Sequence, residues 1–108
     1  MRRAWSTALV QGPSMAPTLR QGDAVLLRRV AGGRGIRPGD VVVVRFGPRP
    51  DALFVKRAVR PVGAGWWVLG DNPFVSDDSR AYGVAEVTAR VVLCWWPRPR
   101  WVSREPPA

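Results

Sequence analysis

The sequence contains no histidine, one cysteine and one lysine among its 108 residues. Without histidine the chain cannot form a Ser-His-Asp triad, a histidine-ligated metal site or an imidazole pH switch. The single cysteine, Cys94, excludes an intrachain disulfide and a multi-thiolate metal or iron–sulfur site. Acid–base chemistry near neutral pH is therefore left to the carboxylates, the one tyrosine, the cysteine, the α-amine and Lys56.

Long hydrophobic runs are also missing from the sequence. The longest cover residues 41–44 and 91–96, far short of the ~20 residues that span a bilayer. Residues 4–10 follow arginines, as in a signal peptide, but Gln11-Gly12-Pro13 ends the stretch and no suitable cleavage site follows. We expect a soluble cytoplasmic protein without a transmembrane anchor.

Acidic residues are few, with 8 against 17 basic ones, which gives a net charge of +9. Sixteen of the basic residues are arginines, a bias that a GC-rich genome would also produce. The charge favours acidic partners such as nucleic acid or an anionic membrane, but alone it is a weak signal. The length predicts one domain with one core, and Cys94 is expected to be buried in it as a small hydrophobe.

Strand signals dominate the sequence. Short apolar or β-branched runs predict strands at residues 4–10, 24–30, 41–46, 53–59, 66–69 and 84–96, separated by Gly- and Pro-rich loops. A helical turn is plausible only near residues 15–20. The pattern predicts a mainly antiparallel β fold with little helix, in which residues 1–96 form the core and the Pro/Arg-rich tail 97–108 docks loosely or frays.

Two segments carry candidate chemical groups. Ser14 lies between Pro13 and Pro17 on a rigid turn, where an ordinary turn serine is the usual interpretation. In a strand, Lys56 shares one face with Phe54 and Ala58, and burial there would lower the lysine pKa enough to make a general base. Arginine cannot do this because its pKa stays above about 12. The alternative is an edge lysine whose ammonium reaches solvent.

A third segment, residues 70–83, is a loop dense in small polar residues, GDNPFVSDDSRAYG. By itself it is typical of a polar turn with a surface ion pair between Asp78 and Arg80. Together, PSMAPTL followed by GD, then VKR, then this loop closely resemble the nucleophile, lysine and third boxes of the signal peptidase I (S26) family of serine proteases. The resemblance runs from about residue 12 to residue 92, and the third box is its most specific part.

This resemblance implies a serine endopeptidase with a Ser/Lys dyad and no cofactor, on the β fold of the signal peptidase/LexA catalytic-core type. It implies that Ser14 is the nucleophile and Lys56 the general base, while the Ser14 N–H contributes to the oxyanion hole. Some members place a second donor, a serine hydroxyl, at the position of Gly12, so here that donor must come from elsewhere.

The third box carries further implied roles. Ser76 would hydrogen-bond the lysine amine and orient it. Asp78 and Arg80 would form an ion pair that holds the loop against the active site.

The resemblance also points to a branch of the family. Only 13 residues precede Ser14, so no ~20-residue anchor fits there. GPSMAPTL, PGDVVVVRF, VSDDSR and WPRPR are similar to the unanchored nickel-type superoxide dismutase maturation proteases, which remove a short N-terminal extension to free a nickel ligand. The expected partner is such a precursor protein, and the alternative is a signal peptidase with peripheral membrane contact.

Two other classes of function remain open. A self-cleaving repressor-type protease would be cut at Ala-Gly before its nucleophile, but both Ala-Gly pairs, at 31–32 and 64–65, follow Ser14. A basic nucleic-acid-binding module could use the stretch WWPRPRW at residues 95–101. We favour instead a C-terminal strand whose tryptophans pack on the core with arginines stacked on them, and expect no nucleic acid partner.

Overall fold

The computed structural model describes residues 3–106, and the chain within this range forms one antiparallel sheet and one helix of four residues. The elements in chain order are β1 (Trp5–Leu9), β2 (Ala24–Arg29), β3 (Val41–Phe46), β4 (Arg49–Val62), β5 (Gly65–Leu69), α1 (Ser79–Tyr82), β6 (Ala85–Trp96) and β7 (Arg100–Trp101). The prediction of a mainly antiparallel β fold with little helix is confirmed. No helix in residues 3–106 is long and apolar enough to cross a membrane.

The strand order is β1-β2-β6-β3-β4-β5, and β7 pairs with β6. A contact between Trp66 of β5 and Ala85 of β6 brings the far edge of the sheet back onto β6. The sheet therefore curls around the inner face of β3, β4 and β5. This curl matters for the site because it encloses the side chains on one face of β4.

Core side chains cover both faces of β3. Val41 and Val43 join one hydrophobic cluster, while Val42 and Val44 join the other. A strand covered on both faces reads as a continuous apolar run rather than an alternating one, which accounts for the sequence VVVV. The first cluster also contains Met15 and Leu19 from the segment between β1 and β2, so that segment is anchored in the core. Cys94 is buried there as expected.

Several element boundaries differ from the sequence prediction. β4 extends from Arg49 to Val62 because it forms hairpins with both β3 and β5, which incorporates residues predicted as loop. The predicted helical turn at residues 15–20 is a set of turns with one helical hydrogen bond, from the Leu19 N–H to the Met15 carbonyl at 3.0 Å. Helix α1 and strand β7 were not predicted, and both are too short to leave a periodic pattern.

The C-terminal segment also differs from expectation. It was expected to dock loosely or to fray, but β7 pairs with β6, and Arg100 and Arg104 bind Asp23 and Asp40. The expectation that its tryptophans pack on the core is wrong, because Trp95, Trp96 and Trp101 are 48%, 58% and 77% exposed. Cys94 is the last residue of β6 that belongs to the core. Trp95 and Trp96 follow it in β6, beyond the core, and Trp101 lies on the outer face of β7.

Candidate active site

Lys56 lies in the middle of β4, opposite Val42 of β3 and on the face enclosed by the curled sheet. Only 1% of its surface is exposed, and its amine lies 5.7 Å from the centre of the Phe54 ring. The expected apolar face is therefore present, and the alternative of an edge lysine reaching solvent does not hold. Burial of the ammonium lowers the pKa of Lys56, opposed by the nearby charges of Asp78 and Asp77 and assisted by Arg80.

An aromatic wall encloses this face of β4. The rings of Phe46, Phe54 and Tyr82 contact one another, with centroids 5.1–5.9 Å apart. The Tyr82 hydroxyl donates to the Asp77 carboxylate and accepts from Arg49 Nη1 at 3.1 Å. Through Phe54, whose ring lies near the Lys56 amine, this wall contributes to the apolar surroundings of the lysine.

Ser14 lies on the turn between β1 and β2 and is half-buried. The loop after β5 holds this turn from the side, since the Asn72 N–H donates to the Ser14 carbonyl at 2.9 Å and Asn72 Nδ2 donates to the Pro13 carbonyl at 3.0 Å. Asn72 is the only asparagine in the sequence. Its backbone and side chain both bind the turn, so the third box fixes the position of the first.

Gly70 is the point at which the serine turn and the lysine strand meet. Leu69 pairs with Arg57, so the next residue outward, Gly70, lies beside Lys56. A Cβ atom on Gly70 would lie 2.6 Å from the Ser14 carbonyl oxygen and 3.6 Å from Ser14 Cβ. The space that a side chain would fill is thus occupied by Ser14, which brings this serine to the end of β5 where Lys56 is buried.

The backbone around Ser14 bears on the predicted oxyanion site. Within residues 3–106 the Ser14 N–H donates to no protein group. The Gly12 N–H is engaged with Gln21 Oε1 at 3.3 Å, and Gly12 itself has φ +79°, a conformation that suits glycine. A peptide carbonyl beside Ser14 would find one unused donor at Ser14, while Gly12 supplies no hydroxyl.

Asp78 and Arg80 form a two-point ion pair, with Arg80 Nε and Nη2 at 3.0 and 2.9 Å from the two carboxylate oxygens. Asp78 also accepts from the Gly70 N–H at 3.0 Å, which clips the loop to the end of β5. Burial alone would raise the pKa of Asp78, but hydrogen bonds from Arg80 and from the Gly70 amide outweigh it and hold the pKa below its ordinary value.

The two serines of the third box lie in different environments. Ser76 is exposed, and among the described residues no hydrogen bond joins its hydroxyl to Lys56, so its orienting role stays a prediction. Ser79 is buried, and its hydroxyl oxygen accepts from the Val68 N–H at 2.8 Å. Sequence reasoning missed Ser79, although it stands between Asp78 and Arg80 in the motif.

Sequence reasoning also missed a buried ion pair between Arg57 and Asp71. Arg57 Nε and Nη2 donate to the two oxygens of Asp71 at 2.8 and 2.7 Å, and both side chains are about 95% buried. The Thr18 hydroxyl donates to the same carboxylate. The three residues come from the lysine, third and nucleophile boxes, so one hydrogen-bonded unit joins all three. The only indication of this unit in the sequence was that all three residues lie in the motifs shared with the family.

A cleft of ≈ 300 Å³ opens beside Ser14, between the end of β1 and the first half of β4. Apolar side chains, Leu9, Val10, Met15 and Phe54, line it together with the polar residues Gln11 and Ser14. Among the described strands β1 pairs only with β2, and residues 53–55 of β4 pair only with β3. Each side of the cleft therefore has an unpaired strand edge, which an extended peptide can use for backbone hydrogen bonds.

Comparison with known proteins defines the family. The family described as "Signal peptidase, peptidase S26" matches residues 2–64. Mitochondrial inner membrane protease subunit 1 of Schizosaccharomyces pombe is 34% identical over 88% of this chain and 76% of its own length. The ATP-independent inner membrane protease subunit 1a of Arabidopsis thaliana is 31% identical over 85% and 71%, and subunit 1 of Xenopus tropicalis is 28% identical over 82% and 68%.

The chain belongs to the signal peptidase, or S26, family of peptidases. It is therefore a protease of the signal peptidase type.

The contact at Gly70 generates a first prediction. Gly70→Ala should lower the free energy of unfolding by about 1–3 kcal/mol, because the new methyl group meets backbone that cannot rotate away. Gly47→Ala is the matched control, since a Cβ there has no atom within 4 Å and Gly47 has no positive φ. Urea unfolding of both variants measures the difference. A Gly70→Ala protein as stable as the control would contradict the close approach of Ser14.

Burial of Lys56 generates a second prediction. Because its pKa is lowered in the folded state, the unfolded chain binds more protons between that pKa and 10.5, so stability rises with pH in this window. Lys56→Met removes the buried ammonium and should be at least as stable as the wild type near pH 7, with the difference shrinking as pH rises.

Arg60→Met, at an exposed cation on the same strand, is the control and should show no such gain. Urea unfolding of the three proteins from pH 6 to pH 10 checks both trends. A Lys56→Met protein that is less stable at every pH would contradict an unfavourable buried charge.

Proposed function

We propose that this protein is a serine endopeptidase in which Ser14 is the nucleophile and Lys56 the general base, and that it removes an N-terminal extension from a precursor protein. The observation that carries this is the buried lysine with a lowered pKa beside Gly70, against which Ser14 is held. A lowered pKa increases the neutral fraction of the Lys56 amine at a given pH, and the neutral amine can accept a proton from a serine hydroxyl, which no arginine can do.

The reaction follows from these groups. The Lys56 amine takes the Ser14 hydroxyl proton while Ser14 Oγ attacks the scissile carbonyl carbon. The oxyanion that forms is stabilised by the unused N–H of Ser14. The lysine ammonium then protonates the leaving amine, and a water molecule, deprotonated by the same lysine, hydrolyses the acyl-enzyme. The Lys56 amine accepts and donates every proton in this sequence, so histidine is not needed.

Orientation of the base is assigned to the third box. Ser76 is proposed to hydrogen-bond the lysine amine when substrate closes the site, and the Asp78–Arg80 pair to hold the loop on the end of β5. The hydrogen bond from the Gly70 N–H to Asp78 supports the second role. An extended substrate would add to the free edges of β1 and β4, with its side chains beside Ser14 in the cleft of ≈ 300 Å³.

The precursor of a nickel-type superoxide dismutase is the substrate we propose first, on the resemblance of the motifs given above. Signal-peptide cleavage at a membrane surface is the second candidate. The names of the relatives favour it, as do the exposed tryptophans at 95, 96 and 101, since such side chains prefer membrane interfaces. The expected cytoplasmic location finds no support in these relatives. Flotation with anionic vesicles distinguishes the two candidates, because only the second requires binding.

The assignment of Ser14 and Lys56 predicts the effect of single substitutions. Ser14→Ala and Lys56→Arg should each lower cleavage of the superoxide dismutase precursor by roughly 10⁴-fold or more, because each removes a group without which the reaction cannot begin. Mass spectrometry of the precursor's N-terminus measures the product.

Ser6→Ala and Arg60→Lys, at exposed residues of β1 and β4, are the controls and should cleave normally. Equal cleavage by Ser14→Ala and wild-type protein would exclude the nucleophile, and turnover by Lys56→Arg would exclude the base. If the precursor stays intact while a signal-peptide substrate is cut, the second candidate function replaces the first.

A pH dependence follows from the charges around Lys56. Activity should rise with pH as the buried ammonium loses its proton, with a midpoint below the ordinary lysine value of 10.5. The Asp77 carboxylate raises the lysine pKa, so Asp77→Asn should move the midpoint to lower pH.

Glu86→Gln is the control, since this carboxylate is exposed and pairs with Arg45 instead. The ratio kcat/KM measured from pH 5 to pH 10 gives all three midpoints. An Asp77→Asn midpoint equal to that of the control, or shifted upward, would contradict titration of Lys56.

A further inference from the structure

The segment between β1 and β2 that carries Ser14 has no strand partner of its own. Its inner side is anchored by Met15 and Leu19 in the core, and Asn72 holds its outer side. Its C-terminal half, residues 18–23, must also be fixed, because a displacement there moves Ser14 relative to Lys56. Two backbone hydrogen bonds tie its end to Val10, from the Val10 N–H to the Asp23 carbonyl and from the Gly22 N–H to the Val10 carbonyl, each at 2.9 Å. Side-chain bonds come from the C-terminal tail, in a stretch of residues 100–104 that we call the strap.

Arg100 holds both ends of residues 18–23. Its Nη2 donates to the Thr18 carbonyl and to Asp23 Oδ2, each at 2.9 Å. Asp23 is itself buried and also accepts from the Arg20 N–H at 2.9 Å, so its carboxylate has a second partner within the same turn. Burial by itself raises the pKa of Asp23, but the bonds from Arg20 and Arg100 outweigh it, and the carboxylate keeps its charge.

The strap also contacts the strand that carries Lys56. Arg57, the next residue after Lys56, donates from Nη1 to the Ser103 carbonyl at 2.8 Å and from its other nitrogens to Asp71. Asp71 in turn accepts from the Thr18 hydroxyl. Thr18 is therefore held at two points. Its hydroxyl binds Asp71, which is bound by Arg57, and its carbonyl accepts from Arg100.

The far end of the strap is attached in the same manner. Arg104 binds Asp40, which accepts from the Arg37 N–H at 2.9 Å, just as Asp23 accepts from Arg20. Both aspartates follow a glycine of positive φ immediately before a strand, β2 or β3. Two arginines four residues apart thus bind two equivalent Gly-Asp turns, and the strap spans the starts of β2 and β3.

We propose that the strap positions the Ser14 turn against the Lys56 strand, with Arg100 as the positioning residue. This rests on the proposed function, in that Ser14 and Lys56 must react together. Arg100 touches neither reacting group, so its effect passes through Thr18. The fork of its guanidinium suits it to the task, because it binds a carbonyl and a carboxylate at once while Nη1 donates to the Arg98 carbonyl at 2.8 Å.

The test compares Arg100→Ala and Arg100→Lys with Arg98→Ala in the full chain. Arg98 is the matched control because its side chain is exposed and makes no hydrogen bond within residues 3–106. Arg100→Ala should lower kcat per titrated active site by roughly 10- to 100-fold with KM changed by less than about threefold, because misplacement of the nucleophile affects the transition state more than binding. Arg100→Lys should be intermediate.

Two further measurements separate positioning from charge and from general destabilisation. The midpoint of the pH profile should not move in Arg100→Ala, whereas loss of a nearby cation acting on Lys56 would raise it. Hydrogen exchange should accelerate at the Ala16 and Leu19 amides, whose acceptors lie within the turn, and not in the β3 ladder. The pH profile and the hydrogen exchange are both measured at a temperature at which circular dichroism shows that the variant is folded.

Arg100→Ala with the kcat and amide exchange of Arg98→Ala would overturn the proposal, as would a loss of kcat with unchanged exchange in the turn. If Arg100→Ala does not fold, Arg100→Lys is read by the same criteria. Failure of the proposed function gives a different result: Ser14→Ala then cleaves as well as the wild type, while the exchange measurement still tests the strap.

Discussion

The buried ion pair between Arg57 and Asp71 is the interaction on which the arrangement of the site depends. Each charge costs free energy to desolvate, and only the two-point geometry and the added bonds from Thr18 and to Ser103 offset that cost. Such a pair contributes little net stability, but its geometry is strict. It joins the serine turn, the lysine strand, the third box and the C-terminal strap, so one interaction links these four segments.

Unlike the charge of Arg57, the charge of Lys56 has no paired carboxylate within residues 3–106. Its neighbour in sequence, Arg57, is given a carboxylate partner, whereas Lys56 is buried against Phe54 and has no hydrogen bond among the described residues. The two adjacent side chains point to opposite faces of β4, one into a polar circuit and one into an aromatic enclosure. The fold thus gives Arg57 a full set of partners and leaves Lys56 without a hydrogen-bond partner in the described part of the chain, and the proposed role of Lys56 as general base depends on this difference.

Much of this was readable from the sequence, and the limits have physical causes. β3 was predicted to the residue because four successive valines have one stable environment, a strand covered on both faces. β7 and α1 were missed because two and four residues carry no period. The exposure of the tryptophans was not predicted, because hydrophobicity alone does not show that β6 extends beyond the core. Ser79 and Asp71 were visible in the motifs, but their partners, Val68 and Arg57, are set by strand register.

The sequence by itself determined which groups are present for chemistry: no imidazole, one lysine and a serine in a rigid turn, in an order shared with the signal peptidase family. It also determined the strand pattern, because alternation and β-branching act locally. Only the tertiary structure decided that Lys56 is enclosed, that Ser14 occupies the space left by Gly70, and that the tail binds two Gly-Asp turns. These depend on contacts between residues far apart in the chain, whose free energy exists only once the sheet has curled and brought them together.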